Sequence, residues 1–233
     1  MLLKEWSAQL QQLRELIKDP AQHLQAIECA QVLHAQVFTS EMSGNVELTF
    51  EDQLWNGLTD WAARHGVNSK GRTVVYGIWH CTRIEDITMN LLLADAPQVF
   101  HVGSWGQRMN FSLANTGNQL SSAEILQMSD DIDLVQLREY RQAVGRNTQQ
   151  IISRLPLGSL KQKIPANKIE RLRQEKTVST DPSASWLIEY WSSKTVGGLL
   201  LMPATRHHVI HLNESVAAKK EGLRREKALA KSI

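Results

Sequence analysis

Apolar residues in this chain recur at three- and four-residue steps in one segment after another, and this spacing constrains the fold more than any other feature. The first such segment, 1–18, places its apolar side chains along one stripe: Leu2, Leu3, Trp6, Leu10, Leu13 and Ile17. An α-helix has about 3.6 residues per turn, so this spacing indicates amphipathic helices. The alternation of apolar and polar residues that is typical of strands is nearly absent. The one run that shows it, residues 100–102, is too short to predict a strand. The sequence therefore predicts an all-α fold.

Prolines, glycines and polar turns divide the 233 residues, which we expect to form a single helical domain. Beyond 1–18, the longest predicted helices lie within 20–38, 54–65, 74–94, 131–155 and from 203 onwards. The connection 98–130 has no sustained period and is predicted to carry only short helical pieces, at 110–114 and 121–128. Because so long a connection in a compact domain is often functional, we expect it to form a wall or a lid over a site.

Composition excludes several classes of function. A formal net charge of +2 gives no general argument for nucleic-acid binding. The longest dense apolar run, 196–202, is too short to span a bilayer and contains two glycines, so no membrane association is predicted. The two cysteines, Cys29 and Cys81, both fall in helical patterns, which suits buried thiols in a reducing compartment. The sequence thus favours a cytoplasmic protein.

The segment 203–214 holds the clearest candidate for a site. Pro203 suits the first turn of a helix, and no glycine follows it in the segment, so a continuous helix is predicted. On that helix His207 and His211 lie four residues apart on one face, where two imidazoles can bind one divalent metal ion. His208 lies about 100° round the helix from His207 and is a poorer partner, yet it stays an alternative ligand. Ordinary surface or core histidines are the competing interpretation.

A metal held by two histidines of one helix needs further ligands, and His80 is the candidate on another helix. An all-α chain of this size most simply packs four long helices as a bundle, which builds metal sites from inward side chains. His80 lies within the most apolar helical segment, 74–94. A buried imidazole must pair its nitrogens, and binding a metal is one way to do so. A core histidine that bonds to a nearby group is the alternative.

Together these motifs resemble the DinB superfamily. A Trp-His pair followed by Arg-x-Glu-Asp stands at 79–86, and a distant His-x-x-x-His stands at 207–211. The resemblance covers about residues 22–218, so that the helix at 1–18 and the basic tail at 219–233 are extensions. It implies a DinB-like four-helix bundle with a three-histidine metal site, and it implies a homodimer, since many members are dimeric.

Carried over to this chain, the resemblance makes His80, His207 and His211 the metal ligands. It also implies a small-molecule substrate, because some relatives look like thiol-dependent transferases or isomerases that activate a low-molecular-weight thiol at the metal. The chain departs from a common form of the family after the last histidine, where 212–214 is Leu-Asn-Glu in place of Arg-Gly-Gln.

Three neutral imidazoles leave a coordination position open on a zinc, nickel or iron ion, which is typical of reactive sites. Such an ion lowers the pKa of a bound water or thiol. Taken with these residues, the resemblance implies a metal-dependent enzyme that is a thiol-dependent S-transferase or a related hydrolase. The alternative is a non-catalytic helical bundle in which the metal or pocket is structural or senses a ligand.

Three further residues are candidates for catalytic or supporting roles. Glu214 follows His211 on the same helix face and could orient its ring, or it could be a solvated carboxylate. Arg83, one turn after His80, could face an anionic substrate group, but the sequence favours an ordinary surface ion pair with Glu85 or Asp86. His34 could transfer protons in the pocket, or it could be a core histidine.

Overall fold

A computed structural model of the chain describes residues 3–232, and within that range it is helical with no strand. The one β feature of the described part is an isolated bridge between Lys163 and Thr195. The all-α prediction is thus confirmed. Leu2, which the sequence assigns to the first helical stripe, lies outside the described residues.

The α-helices of the described chain, in order, are α1 Leu3–Lys18, α2 His23–Ala35, α3 Ser40–Ser43, α4 Phe50–Trp55, α5 Asp60–His65, α6 Val74–Ile87, α7 Val99–Val102, α8 Trp105–Arg108, α9 Ser122–Asp131, α10 Leu134–Ser153, α11 Ala166–Gln174, α12 Pro182–Ser192, α13 Val196–Leu201 and α14 His207–Leu229. Short 3₁₀ turns lie at Pro20–Gln22 and Ser159–Lys161, and π-helical segments at Thr88–Ala94 and Met202–Arg206. None of these helices is both long enough and apolar enough to cross a membrane.

Helix α6 lies at the centre of the structure, and every one of its residues is buried. It begins where the Thr73 hydroxyl accepts the N–H of Tyr76, a capping contact that replaces one of the hydrogen bonds missing at a helix start. On its flanks α6 contacts α10 and α14, while α10 also contacts α2. Because α6 has no solvent-facing side, its polar side chains must find partners inside the protein.

Two predicted helices are shorter than the sequence pattern indicates. The helix expected over 20–38 ends at Ala35, and Thr39 then caps the separate α3. The helix expected over 54–65 is divided into α4 and α5, because Gly57 takes a left-handed backbone conformation with φ of 68° and Thr59 caps a new start. In both places a capping threonine outweighs the continuing apolar period.

The connection 98–130 contains more helix than predicted, but in other places. Residues 100–102 belong to α7, and α8 follows directly, whereas the helical piece expected at 110–114 does not form. The piece expected at 121–128 is present as α9. This helix begins with a capping box formed by Ser121 and Glu124.

The last helix also differs from its prediction at the N-terminal end. Pro203 lies inside the π-helical segment Met202–Arg206, which joins α13 to α14 without a break in the helical chain. Proline has no N–H and cannot donate a hydrogen bond to the preceding turn. A widened π turn can accommodate this missing hydrogen bond. At its other end α14 continues to Leu229, so most of the basic tail is part of the helix that carries His207 and His211.

Candidate metal centre

Three histidines from two helices converge inside the protein. His80 of α6 and His207 and His211 of α14 each present a ring nitrogen, and these atoms all lie within 4.8 Å of one another. The two Nε2 atoms of His207 and His211 are 3.1 Å apart. Zinc–nitrogen bonds of about 2.0–2.1 Å at tetrahedral angles would place two ligand nitrogens about 3.3 Å apart. The His207–His211 distance is close to this value, and the three-histidine cluster could hold one metal ion.

A glycine one turn before His80 lets the two helices approach closely enough. A Cβ atom added to Gly77 would lie 2.5 Å from the Ser215 hydroxyl oxygen of α14, which is closer than such contacts occur. His80 lies one turn after Gly77 on α6, and His211 lies one turn before Ser215 on α14. Both belong to the same contact between the two helices. The ring centroids of these two histidines are 4.7 Å apart. The absence of a side chain at Gly77 leaves room for the Ser215 hydroxyl where the two helices meet.

The ring of His80 is fixed from behind by the connection 98–130. Its Nδ1 atom lies 2.6 Å from the carbonyl oxygen of Thr116, so Nδ1–H donates to that oxygen and Nε2 is left with its lone pair towards the cluster. The N–H of Thr116 donates in turn to the carbonyl oxygen of Thr177, at 3.0 Å. On the other side Tyr76 stacks on the imidazole, with 5.3 Å between ring centroids. The connection therefore forms a wall of the site.

Glu214 supports the second ligand. Its Oε2 atom lies 3.3 Å from Nδ1 of His211, so the carboxylate is close enough to orient that ring. Lys70 and Arg72 hold the same carboxylate at 2.6 Å and 3.0 Å. The contact with His211, together with these two cations, keeps the pKa of Glu214 well below its usual range. Glu214 is therefore ionised, and its carboxylate lies beside Nδ1 of His211, a position that favours the tautomer with the proton on Nδ1.

Burial keeps the cluster in the form that binds metal. It lowers the pKa of His80 and His207 well below the ordinary histidine value, and the neighbouring imidazoles lower them further. The pKa of His211 is lowered by burial too, although Glu214 opposes the shift. Neutral imidazoles are the metal-binding form, so these residues fit a divalent cation. The Nδ1 atom of His207 is buried without a hydrogen-bond partner among the described residues.

His208 does not take the place of His207 in the cluster. It points to the other side of α14, where its Nε2 atom contacts the Glu85 carboxylate at very short range. Burial lowers the pKa of His208 to about 4, against the opposing effect of Glu85. The alternative in which His208 is the ligand is therefore not the arrangement in the structure.

His34 belongs to the same buried group as His208 and does not line the three-histidine cluster. Its Nε2 atom lies 3.0 Å from the other oxygen of Glu85, and Gln149 contacts its Nδ1 at 2.9 Å. Burial raises the pKa of Glu85, but the two histidines beside it outweigh burial and hold the pKa below its usual value. Of the two interpretations of His34, the structure shows the paired core histidine.

Arg83 also lies away from the cluster. Its side chain is fully buried, pairs with Asp86 at 2.9 Å and donates to Tyr140 at 2.7 Å and to Gln98 at 2.6 Å. The predicted ion pair with Asp86 is confirmed, but it is buried where a surface pair was expected. With both Nη atoms committed to protein groups and the side chain fully buried, Arg83 is not placed to contact a substrate at the metal centre.

Sequence reasoning missed the carbonyl of Thr116 and the bridging role of Glu85. A backbone carbonyl carries no residue-type signal, so no pattern could have indicated the first. For Glu85 a signal existed, because a carboxylate within the apolar helix 74–94 must be paired if it is buried.

A cavity of about 180 Å³ opens beside the cluster at His207. Most of its wall is apolar, and α12 contributes Trp186, Leu187 and Trp191 to it. Because His80 and His211 are buried and His207 is partly exposed, this cavity is the side from which a small molecule can approach the three rings.

The chain matches no protein-family model and no curated protein closely enough to place it in a family.

Proposed function

We propose that this chain is a metal-dependent enzyme in which His80, His207 and His211 bind one divalent ion, namely zinc, nickel or iron. The observation that carries the proposal is the convergence of three ring nitrogens within 4.8 Å. The supporting contacts of Thr116 and Glu214 add to it, because ligand histidines characteristically donate their second N–H to a carbonyl or carboxylate.

We further propose that the scaffold is a DinB-like four-helix bundle. The packing of α6 against α10 and α14, and of α10 against α2, supports this arrangement. The π-helical segment Met202–Arg206, which leads into α14, also contacts α2 and would close the ring of helices. The homodimer that the resemblance implies is part of the same proposal.

The reaction class that suits the site best is transfer to a small thiol, with hydrolysis as the related possibility. Three neutral ligands leave a bound dication its full charge, so it would lower the pKa of a coordinated thiol or water and supply a nucleophile near neutral pH. The protein's own residues would hold the rings in one tautomer through Thr116 and Glu214. The apolar cavity beside His207 would exclude water from the reacting groups.

Elemental analysis of the purified protein tests the metal centre. We expect close to one equivalent of zinc, nickel or iron, and its loss in His80→Ala with the helical circular dichroism preserved. His101→Ala is the matched control, because His101 is an exposed histidine on α7. A protein that carries no metal after incubation with each of the three ions would contradict the proposal.

Turnover distinguishes the enzyme from a structural or ligand-sensing metal protein. The metal-loaded protein is mixed with a panel of low-molecular-weight thiols and electrophilic substrates, with His80→Ala as the reference. Thiol consumption above that reference supports transferase chemistry. Full metal occupancy with no turnover of any pair would favour the non-catalytic alternative.

A further inference from the structure

The cavity beside His207 has a chemical character of its own. Three of its walls are the aromatic side chains Trp186, Tyr190 and Trp191, and Leu187 lies between them on the same helix. Apart from His207, none of the residues that line the cavity in the described chain has a side chain that gains or loses a proton near neutral pH. Burying a charged group in such a wall would remove its hydration without providing a counter-ion.

The size of the cavity limits what it can take. At about 180 Å³ it is slightly larger than an apolar protein cavity of about 150 Å³ that binds benzene. A single aromatic ring or an aliphatic group of similar bulk fits this space. A molecule that fills it would lie against His207 at one end, within reach of the three-histidine cluster.

One polar group interrupts the apolar wall. Asn118, from the connection 98–130, lines the cavity, and its Oδ1 atom is buried without a hydrogen-bond partner among the described residues. Leaving a buried amide oxygen unpaired is unfavourable, so such a group is a site where a ligand can add a missing bond. Because a carboxamide carries both a donor and an acceptor, rotation lets it match either kind of ligand atom.

We propose that this cavity binds the body of the substrate, and that this body is a neutral, mainly apolar group of single-ring size with one polar atom that pairs with Asn118. The proposal rests on the metal-dependent function above and specifies the substrate class of that site. Trp186 forms the outer wall, since half of its surface is exposed, and Leu187 forms the buried floor. The reactive end of the substrate then points past His207 towards the ion.

The binding of two small probes to the purified protein tests the proposal. Benzamide is neutral and carries one amide, whereas benzylamine has the same ring and a positive charge. Their dissociation constants are measured by nuclear magnetic resonance titration of the indole N–H signals. We expect benzamide to bind at least about tenfold more tightly, because the apolar wall offers the ammonium group no counter-ion.

Variants locate the binding site. Leu187→Trp fills the cavity and should weaken benzamide binding by about tenfold or more. Leu157→Trp is the matched control, because Leu157 is 77% exposed and lies outside the cavity. If Leu187→Trp does not fold, Trp186→Ala, at the exposed wall, should give the same loss. Asn118→Leu should weaken benzamide but leave toluene, which has no polar atom, unaffected.

Equal binding of benzamide and benzylamine, or benzamide binding unchanged in Leu187→Trp and Trp186→Ala, would overturn the proposal. Metal content measured on the same samples distinguishes failure of the proposed metal-dependent function from failure of the proposed substrate class. Benzamide binding without any metal would sustain the cavity assignment and remove the metal-dependent function. A full complement of metal with no benzamide binding would sustain the metal centre and remove the substrate class.

Discussion

The Nδ1 atom of His80 lies 2.6 Å from the carbonyl oxygen of Thr116, and this contact decides which nitrogen of His80 faces the cluster. A carbonyl only accepts hydrogen bonds, so Nδ1 must carry the proton and Nε2 must carry the free lone pair. The ligand tautomer is thus set before any ion binds. Since Thr116 is itself tied to Thr177, the connection 98–130 acts as a fixed support for the site.

Glu214 should have the corresponding role for His211, and Glu214→Gln tests it. The carboxamide loses the charge that pairs with His211 and with Lys70 and Arg72. Removing such a supporting group typically lowers metal affinity by about 10–100-fold, and we expect a loss in that range. Competition with a chelator of known affinity measures it.

The matched control for this prediction is Glu221→Gln, on the same helix. Glu221 pairs with Arg224 near the surface and has no contact with the cluster. Metal affinity should be unchanged in this variant. An equal loss in both variants would show that Glu214 acts only through the general charge of α14.

The sequence predicted the fold class and the pairing of His207 with His211 because both depend on helical period. Apolar residues at three- and four-residue steps identify helices, and the spacing of His207 and His211 places them on one face. His80 was a candidate partner from bundle packing, and only the family resemblance favoured it over a core histidine. The rotation of α6 about its own axis decides whether His80 faces His207 and His211. This rotation is set by tertiary packing, which no local sequence pattern encodes.

The relative orientation of the helices also explains why the sequence could not indicate the partners of His208 and His34. His208 was an open alternative to His207, and only the relative orientation of α6 and α14 shows that it pairs with Glu85 instead. His34 joins the same group from a third helix, about 50 residues away in sequence from its partner. Contacts of this kind depend on tertiary structure and leave no spacing to detect.

Gly77 should be needed for the close approach of α6 and α14. Alanine favours a helix interior over glycine by up to about 1 kcal/mol, but here its Cβ would meet the Ser215 oxygen at 2.5 Å. Overpacking of this kind costs about 1–3 kcal/mol, so Gly77→Ala should lower the free energy of unfolding and weaken metal binding. Urea denaturation and chelator competition measure the two effects.

Ser215→Ala provides the rescue for Gly77→Ala. Without the hydroxyl, the nearest Ser215 atom to the new methyl group is its Cβ at 3.9 Å, an ordinary contact distance. The double variant should therefore regain most of the lost stability and metal affinity. If the two substitutions were simply additive, the proposed contact would not be the cause.

Arg83→Met should separate a structural role from a catalytic one. The substitution leaves Asp86 buried without its cation, and breaking a buried ion pair from one side costs roughly 3–5 kcal/mol. We expect that loss in the free energy of unfolding, with metal content per folded molecule unchanged. Arg108→Met is the control, since Arg108 pairs with Glu139 at the surface and should cost less than about 1 kcal/mol.

Acid should destabilise the protein from about pH 6.5 downwards, because the buried His80 and His208 resist protonation. In the folded state the pKa of His208 is about 4 and that of His80 is well below the usual value. Below about pH 6.5 the unfolded chain therefore binds protons that the folded chain does not, and stability falls by about 1.4 kcal/mol per pH unit for each such proton. Glu85, whose folded pKa is also lowered, adds a further loss once the pH drops below about 4.5. Urea denaturation at pH 7.5, 6.5 and 5.5 measures the slope, and a profile that is level or rises towards acid would show that these histidines are protonated in the folded protein.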